Sequence, residues 1–402
     1  METESPADGN PPCSALYVHI PFCHSICPFC AFAMHANRQG LHDEYLRMLD
    51  RELRAQAPAV NIPAGGLDSV YIGGGTPSTL SAGQVENLLG AIQEVCSLAG
   101  QAETAFELNP EDVKKDYVRQ LVALGVNRMS LGVQSFNEGT LKTMERGHDS
   151  AQACAAMDVL AAHGPANINV DLMCGVPGQT LRQAQEDITA LKRWEPAHVS
   201  LYYLDMEPGT LFRRRLDRGL FKVPDGDEAA HIMLELWNAL KKQGYTQYEI
   251  SNFARPGFQG RQNQLVWSGK PYLGIGCGAH SYLKPFRMRN SRHIRAYMRN
   301  IASRGQDWEF RERLSAAQLA NEALMISLRL KDGLDIGNWG ISHGIMDNPF
   351  RDRLLAGFVE AGKAVYQSGR FRLTPEGLAV ADMVAGALMV QESEIRPASE
   401  PR

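Results

Sequence analysis

No stretch of this 402-residue chain approaches the roughly 20 consecutive apolar residues that a membrane-spanning helix needs. Charge of one sign is lacking too. Lys and Arg number 41 against 45 Asp and Glu, for a net charge of −4 and a pI near 6.3, so a nucleic-acid partner is not expected. There is no internal repeat, no low-complexity tract and no signal-peptide pattern at the start. The first fourteen residues instead hold three acids and three prolines; they read as a disordered leader, and the expected compartment is the cytoplasm. Cysteine is sparse outside one segment. Cys13, Cys96, Cys154, Cys174 and Cys277 are scattered, unlike a secreted disulfide scaffold, and read as free thiols that pack like small hydrophobes.

Hydrophobic residues at 44% and charged residues at 21% describe an ordinary globular protein. The length suits one large domain and a smaller one. From Leu16 to Leu204 short β-rich runs alternate with helical periodicity. The expected strands are Leu16–Ile20, Ser69–Ile72, Thr104–Leu108, Arg128–Val133, Ile168–Met173 and Val199–Tyr203. Between the first four lie helical patterns with apolar positions recurring three and four apart: Leu41/Tyr45/Leu46/Leu49/Leu53, Val85/Leu88/Leu89/Ile92 and Tyr117/Val118/Leu121/Leu124. This alternation predicts an α/β fold with a parallel sheet. An open, partial (β/α)6 TIM-like barrel is the preferred architecture, with a doubly wound flat sheet as the alternative.

Beyond Asp205 the spacing predicts a helix over 226–243, a strand over Tyr245–Ile250 and a glycine-rich crossing from Leu273 to His280. Helices over Leu314–Leu330 and Asn348–Ala361, a strand at Arg370 and a helix ending near Met389 suggest a winged-helix-like lobe. The expected division is a leader (1–14), a barrel core (15–225), an extension (226–305), a C-terminal lobe (306–390) and a loose tail (391–402).

One segment carries chemistry. Cys23, Cys27 and Cys30 form a C-x3-C-x2-C run after the first expected strand. A zinc site would more commonly draw its four ligands from two separated pairs, and no second C-x2-C exists here. Three thiols in one short loop fit three corners of a [4Fe-4S] cluster and leave one iron open. Other unusual residues stand at or just after the ends of the remaining expected strands: Gly73-Gly74-Gly75-Thr76, Glu107, Gln134, Asp171 and Tyr203. In a parallel barrel those ends converge on one mouth. Three successive glycines let backbone approach a ligand closely, and a strand-end Glu can accept hydrogen bonds from a ribose or an ammonium. The basic runs Phe286–Arg295 and Arg213–Arg215 read as solvated surface.

The cysteine loop resembles that of the radical S-adenosylmethionine (SAM) enzymes. Tyr17-Val-His-Ile-Pro-Phe-Cys is similar to the branch of oxygen-independent coproporphyrinogen oxidases and their haem-chaperone relatives. The likeness continues through Tyr71-Ile-Gly-Gly-Gly-Thr-Pro, Glu107-Leu-Asn-Pro, Ser130-Leu-Gly-Val-Gln-Ser-Phe, Asp171-Leu-Met-Cys-Gly-Val-Pro-Gly-Gln, Tyr248-Glu-Ile-Ser-Asn-Phe-Ala and Gly274-Ile-Gly-Cys-Gly-Ala-His-Ser. The resemblance implies that SAM chelates the open iron and is split reductively to a 5′-deoxyadenosyl radical. It implies SAM contacts from Tyr17, Phe29, Gly73–Gly75, Thr76, Glu107, Gln134, Arg146, Asp171 and Leu204, and a reductant such as flavodoxin or ferredoxin. Candidates for the final proton acceptor are His24, Tyr203 and His280, with Tyr17 near the sulfonium.

Two departures bear on the branch. Coproporphyrinogen oxidases carry a further cysteine where this chain has Phe32. Haem chaperones carry His-Asn-x-x-Tyr-Trp where this chain has Gln262-Asn-Gln-Leu-Val-Trp267. The resemblance therefore implies methyl or methylene transfer to an sp2 carbon of a small molecule, in an enzyme seating two SAM molecules. Haem delivery by a haem-binding chaperone is the alternative, and porphyrinogen oxidation a third reading.

Overall fold

The computed structural model describes residues 11–36 and 40–396. Strands β1 (Ala15–Ile20), β2 (Leu67–Gly74), β3 (Leu98–Leu108), β4 (Arg128–Gln134), β5 (Asn167–Cys174) and β6 (His198–Tyr203) lie side by side in chain order. Every neighbouring pair is parallel. The connecting helices include Leu41–Gln56, Ala82–Val95, Lys115–Ala123, Ser150–His163 and Leu181–Ala190. Three of them begin with reciprocal capping boxes, Ser81 with Gln84, Asp149 with Gln152 and Thr180 with Gln183, which satisfy first-turn N–H groups that would otherwise lack partners.

Alternation along the strands sorts their side chains. Val18, Ile20, Val70, Ile72, Phe106, Leu131, Val170, Leu172, Val199 and Leu201 pack with the helices in one large core. Each fully buried aliphatic of this kind stabilises the fold by about 1.5–3 kcal/mol. The intervening positions are polar: Glu103, Glu107, Arg128, Ser130, Asn169, Asp171, His198 and Ser200. They hydrogen-bond to one another, to neighbouring strands or to the chain that covers the strand ends. A polar inner wall inside an apolar shell is what a barrel with an internal site requires.

Among the described residues no ladder joins β6 to β1, so the barrel is partial. On the β6 side the sheet continues with antiparallel β7 (Asn252–Ala254), and on the β1 side with parallel β8 (Tyr272–Ile275). The expected crossing at 273–280 is thus corrected: its first part is a further parallel strand. Glycine there serves close approach, since a Cβ on Gly274 would sit 1.9 Å from the His280 carbonyl oxygen. The expected strand Tyr245–Ile250 shrinks to Thr246–Gln247, because the buried Glu249 carboxylate takes the Ser251 N–H and the Asn252 amide and turns the chain.

Arg261–Trp267 forms a short helix across the N-terminal ends of the strands. The Arg261 and Gln262 N–H groups bond Glu103 of β3, and Arg128 of β4 bonds the Phe258 carbonyl. This segment is the floor of the barrel. Towards the C-terminus, helices Ala316–Leu328, Ile336–His343, Pro349–Glu360 and Ala381–Leu388 pack with a three-stranded antiparallel sheet around Leu324, Trp339, Phe371 and Val384. The helix Ile336–His343 escapes sequence reading because Gly337 and Gly340 blur its pattern.

Residues 1–10 of the expected leader and 397–402 of the expected tail lie outside the described residues. Cys13 and Ser14 are buried, and Glu394 pairs with Arg351. No helix among the described residues is long and apolar enough to cross a membrane.

Candidate functional site

A cavity of about 530 Å³ opens at the C-terminal ends of the strands, within the range usual for small-molecule sites. Cys23, Cys27 and Cys30 all line it. Among the described residues no three His, Cys, Asp or Glu side chains converge tightly enough to enclose a single metal ion. A cubane asks for wider spacing, because each thiolate grips a different iron. Burial raises the Cys23 thiol and pushes Cys30 up to about 11, so cluster binding here involves loss of thiol protons. The donor set and its exposure to one cavity fit a [4Fe-4S] cluster.

Neighbouring groups hold the loop in shape. His24 Nε2 lies 2.7 Å from Asp112, whose other oxygen accepts from Ser78 Oγ at 2.7 Å. Within β1 the His19 Nε2–H donates to the Ala33 carbonyl at 2.9 Å, which leaves Nδ1 to accept from Tyr17 O–H at 2.9 Å. Tyr17 thus orients the histidine that anchors the far end of the cysteine loop. Its ring stacks on Tyr71, which lines the cavity together with Tyr202.

Arg146 reaches in from beyond β4. Its guanidinium donates to Cys27 Sγ at 3.1 Å, to Asn109 Oδ1 at 2.6 Å and to the Gly132 carbonyl at 3.0 Å. Its Nε is buried without a partner. A fixed cation beside a cluster thiolate offsets negative charge at that corner.

The glycine run acts chiefly through space. A Cβ on Gly75 would lie 2.9 Å from Cys23 Sγ, and one on Gly73 would lie 2.8 Å from the Glu107 carboxylate. Two of the three amides are already engaged, Gly74 N–H by Glu107 and Gly75 N–H by the Ile20 carbonyl. Glu107 also accepts from Tyr71 O–H at 2.7 Å, and burial pushes its carboxyl up to about 7. Burial raises the Asp171 carboxyl, against the opposing effect of donors from Ser130, Ser200 and Asn169. Both carboxyls face the cavity, together with Gln134, Thr76 and Leu204. The Phe29 ring turns away from solvent and packs edge-on against Phe212.

Four expected site residues do not line this cavity: Gly73, packed against Tyr71 and Glu107, together with Tyr17, Tyr203 and His280. Tyr17 is spent on His19. Tyr203 packs its ring against Gly175, and its buried hydroxyl has no partner. His280 lies on the hairpin strand His280–Leu283, outside the barrel wall. The basic runs are largely engaged: Arg287 with Glu322, Arg289 with Glu309, Arg292 with the Ala31 carbonyl, and Arg213 with Asp217. Residues that sequence reasoning missed include Tyr71, Ser130, Asn109 and Met173. Polar residues at every second position of parallel strands, which are ordinarily apolar on both faces, were the available signal.

These features define a cysteine-loop barrel built to hold a cluster and a small ligand at one mouth. The Radical SAM superfamily profile matches residues 17–191. The haem chaperone HemW of Lactococcus lactis is 36% identical over 321 residues, covering 80% of this chain and 83% of that protein. HemW of Mycobacterium tuberculosis is 33% identical over 389 residues, covering 96% of each. The solved coproporphyrinogen III oxidase HemN of Escherichia coli superposes with a TM-score of 0.82, at 23% identity, over 96% of this chain and 92% of that one. The chain belongs to the radical SAM superfamily, in its HemN/HemW-like branch.

Proposed function

We infer that this chain is a haem-binding radical SAM protein of the chaperone kind, which takes up haem and passes it to acceptor proteins. The observation that carries this reading is the position of Gln262. Methyl or methylene transfer was expected because glutamine stands where the haem chaperones have histidine. Gln262 is 7% exposed on the barrel floor, its N–H on Glu103, at the opposite end of the strands from the cysteines. A substitution there speaks to how the floor packs and says little about chemistry at the mouth. The likeness to HemW across nearly the full length of both chains then favours haem. Phe32 in place of a further cysteine counts against porphyrinogen oxidation.

Within this reading Cys23, Cys27 and Cys30 hold the cluster, and SAM occupies the adjoining cavity. The cluster, when bound, supplies an open iron that can chelate SAM and an electron that can reach it. The chain's own groups do the rest. Glu107 and Asp171 offer carboxylate acceptors, Arg146 fixes the charge beside Cys27, and Phe29 and Leu204 close the cavity with apolar surface.

The test uses oxygen-free protein with a reconstituted cluster. Haem titration followed by absorbance, then mixing with an apo-haem protein, should give saturable uptake and transfer. No haem uptake, together with SAM consumption coupled to a methylated small molecule, would sink the reading.

A further inference from the structure

Inside the barrel a directed chain of hydrogen bonds runs from the cavity to the floor. Asp171, at the cavity end of β5, accepts from Ser130 Oγ at 2.9 Å and from Asn169 Nδ2 at 2.8 Å. Because that nitrogen faces a carboxylate, Asn169 must present Oδ1 to His198, whose Nδ1 lies 2.6 Å away. An acceptor there requires the proton on Nδ1, which leaves Nε2 to accept from Tyr248 O–H at 2.8 Å. The Tyr248 oxygen in turn accepts the Gly260 N–H of the floor segment at 3.2 Å. Each donor meets an acceptor, and only one imidazole tautomer satisfies the series. His198 is fully buried, and burial lowers its basicity well below the ordinary histidine range, so it stays neutral.

The far end of the chain is anchored as well. The Tyr248 carbonyl accepts the Lys331 N–H, and Glu249 bridges to Leu330, both beyond the helix Ala316–Leu328. Tyr248 is therefore clamped by the floor on one side and by the C-terminal lobe on the other.

We propose that His198 is a positioning residue: clamped by Tyr248, it fixes the Asn169 amide so that the Asp171 carboxylate stays aimed into the ligand cavity. This rests on the reading of that cavity as the SAM site. The roles are distinct. Asp171 faces the ligand, whereas His198 and Tyr248 act only through it. An ordinary packing role would make substitutions at His198 or Tyr248 costly to the fold and indifferent to the identity of residue 171.

A double-substitution cycle separates the two. SAM affinity is measured by equilibrium dialysis on cluster-reconstituted protein, with melting temperature and iron content recorded alongside. His198→Gln and Tyr248→Phe are each made with Asp171 present and in the Asp171→Asn background. Loss of the bond that holds the Asn169 amide against the Asp171 carboxylate should weaken SAM by about tenfold with Asp171 present, and by less than about twofold in the Asp171→Asn background. Equal losses in both backgrounds, or none in either, would overturn the proposal. Should His198→Gln fail to fold, Tyr248→Phe removes a single oxygen and carries the test. Absence of saturable SAM binding in the unsubstituted protein would instead sink the cofactor reading, and this proposal with it.

Discussion

Glu52 is fully buried among four donors. Oε1 accepts from the Gln56 and Asn290 amides, and Oε2 from the Gly276 N–H and Tyr297 O–H. Burial nonetheless pushes its carboxyl from 4.5 up to about 7. A carboxyl raised in the folded state keeps a proton that the unfolded chain has already released. Its contribution to stability is fullest below pH 4.5 and is lost as pH rises to about 7. Glu52→Gln removes that titration, so the gap in melting temperature between wild type and variant should be widest near the lower pH and narrow towards neutrality. A gap independent of pH would refute the assignment. Because its amide hydrogens oppose existing donors, the variant should also lose about 1–3 kcal/mol in denaturant unfolding. Gly75 makes a second prediction at this scale. Gly75→Ala drives a methyl against Cys23 Sγ and the Phe22 carbonyl, and iron retained after reconstitution should fall several-fold while the far-ultraviolet circular dichroism stays unchanged.

At the scale of elements, the cysteine loop depends on parts distant in sequence. His24 and Ser78 share Asp112, Ala33 hangs from His19, and the Phe212 N–H bonds the Pro28 carbonyl. Asp112→Ala cuts two of these ties and leaves the three cysteines in place. The expected outcome is a cluster that assembles but bleaches faster in air, read from the decay of its absorbance near the visible edge. An unchanged decay would mean that the loop is held without Asp112. The helices carry their own start signals, as the capping boxes at Ser81, Asp149 and Thr180 illustrate. Ser81→Ala should cost about 1 kcal/mol in thermal or denaturant unfolding and leave the cluster intact.

For the molecule as a whole, the two ends of the barrel do different work. The C-terminal mouth gathers the cysteines and carboxylates, whereas the N-terminal floor is closed by the helix Arg261–Trp267. If position 262 only packs the floor, Gln262→His should change haem uptake by less than about twofold, while small shifts in stability are tolerated. A large gain in haem affinity would return that position to the centre of function.

Much of this organisation was legible beforehand, and the exceptions have a common cause. The six barrel strands follow from β-rich runs set between helical periodicity, and the cysteine triplet from spacing alone. Tyr203 and His280 carried suitable chemistry near strand ends, yet one packs on Gly175 and the other rides a hairpin outside the wall. Alternation says which residues share a face. It does not say at what height along the barrel they stand, or which segment covers either end.

The order of residues by itself determined the parallel α/β core, the three thiols in one loop and the glycine run beside them, because period, spacing and residue type act locally. Only the folded chain decided that Arg146 touches Cys27, that Tyr71 and not Tyr17 faces the cavity, and that Gln262 lies beneath the barrel. Those relations join segments tens to hundreds of residues apart, and the curvature of the sheet sets them.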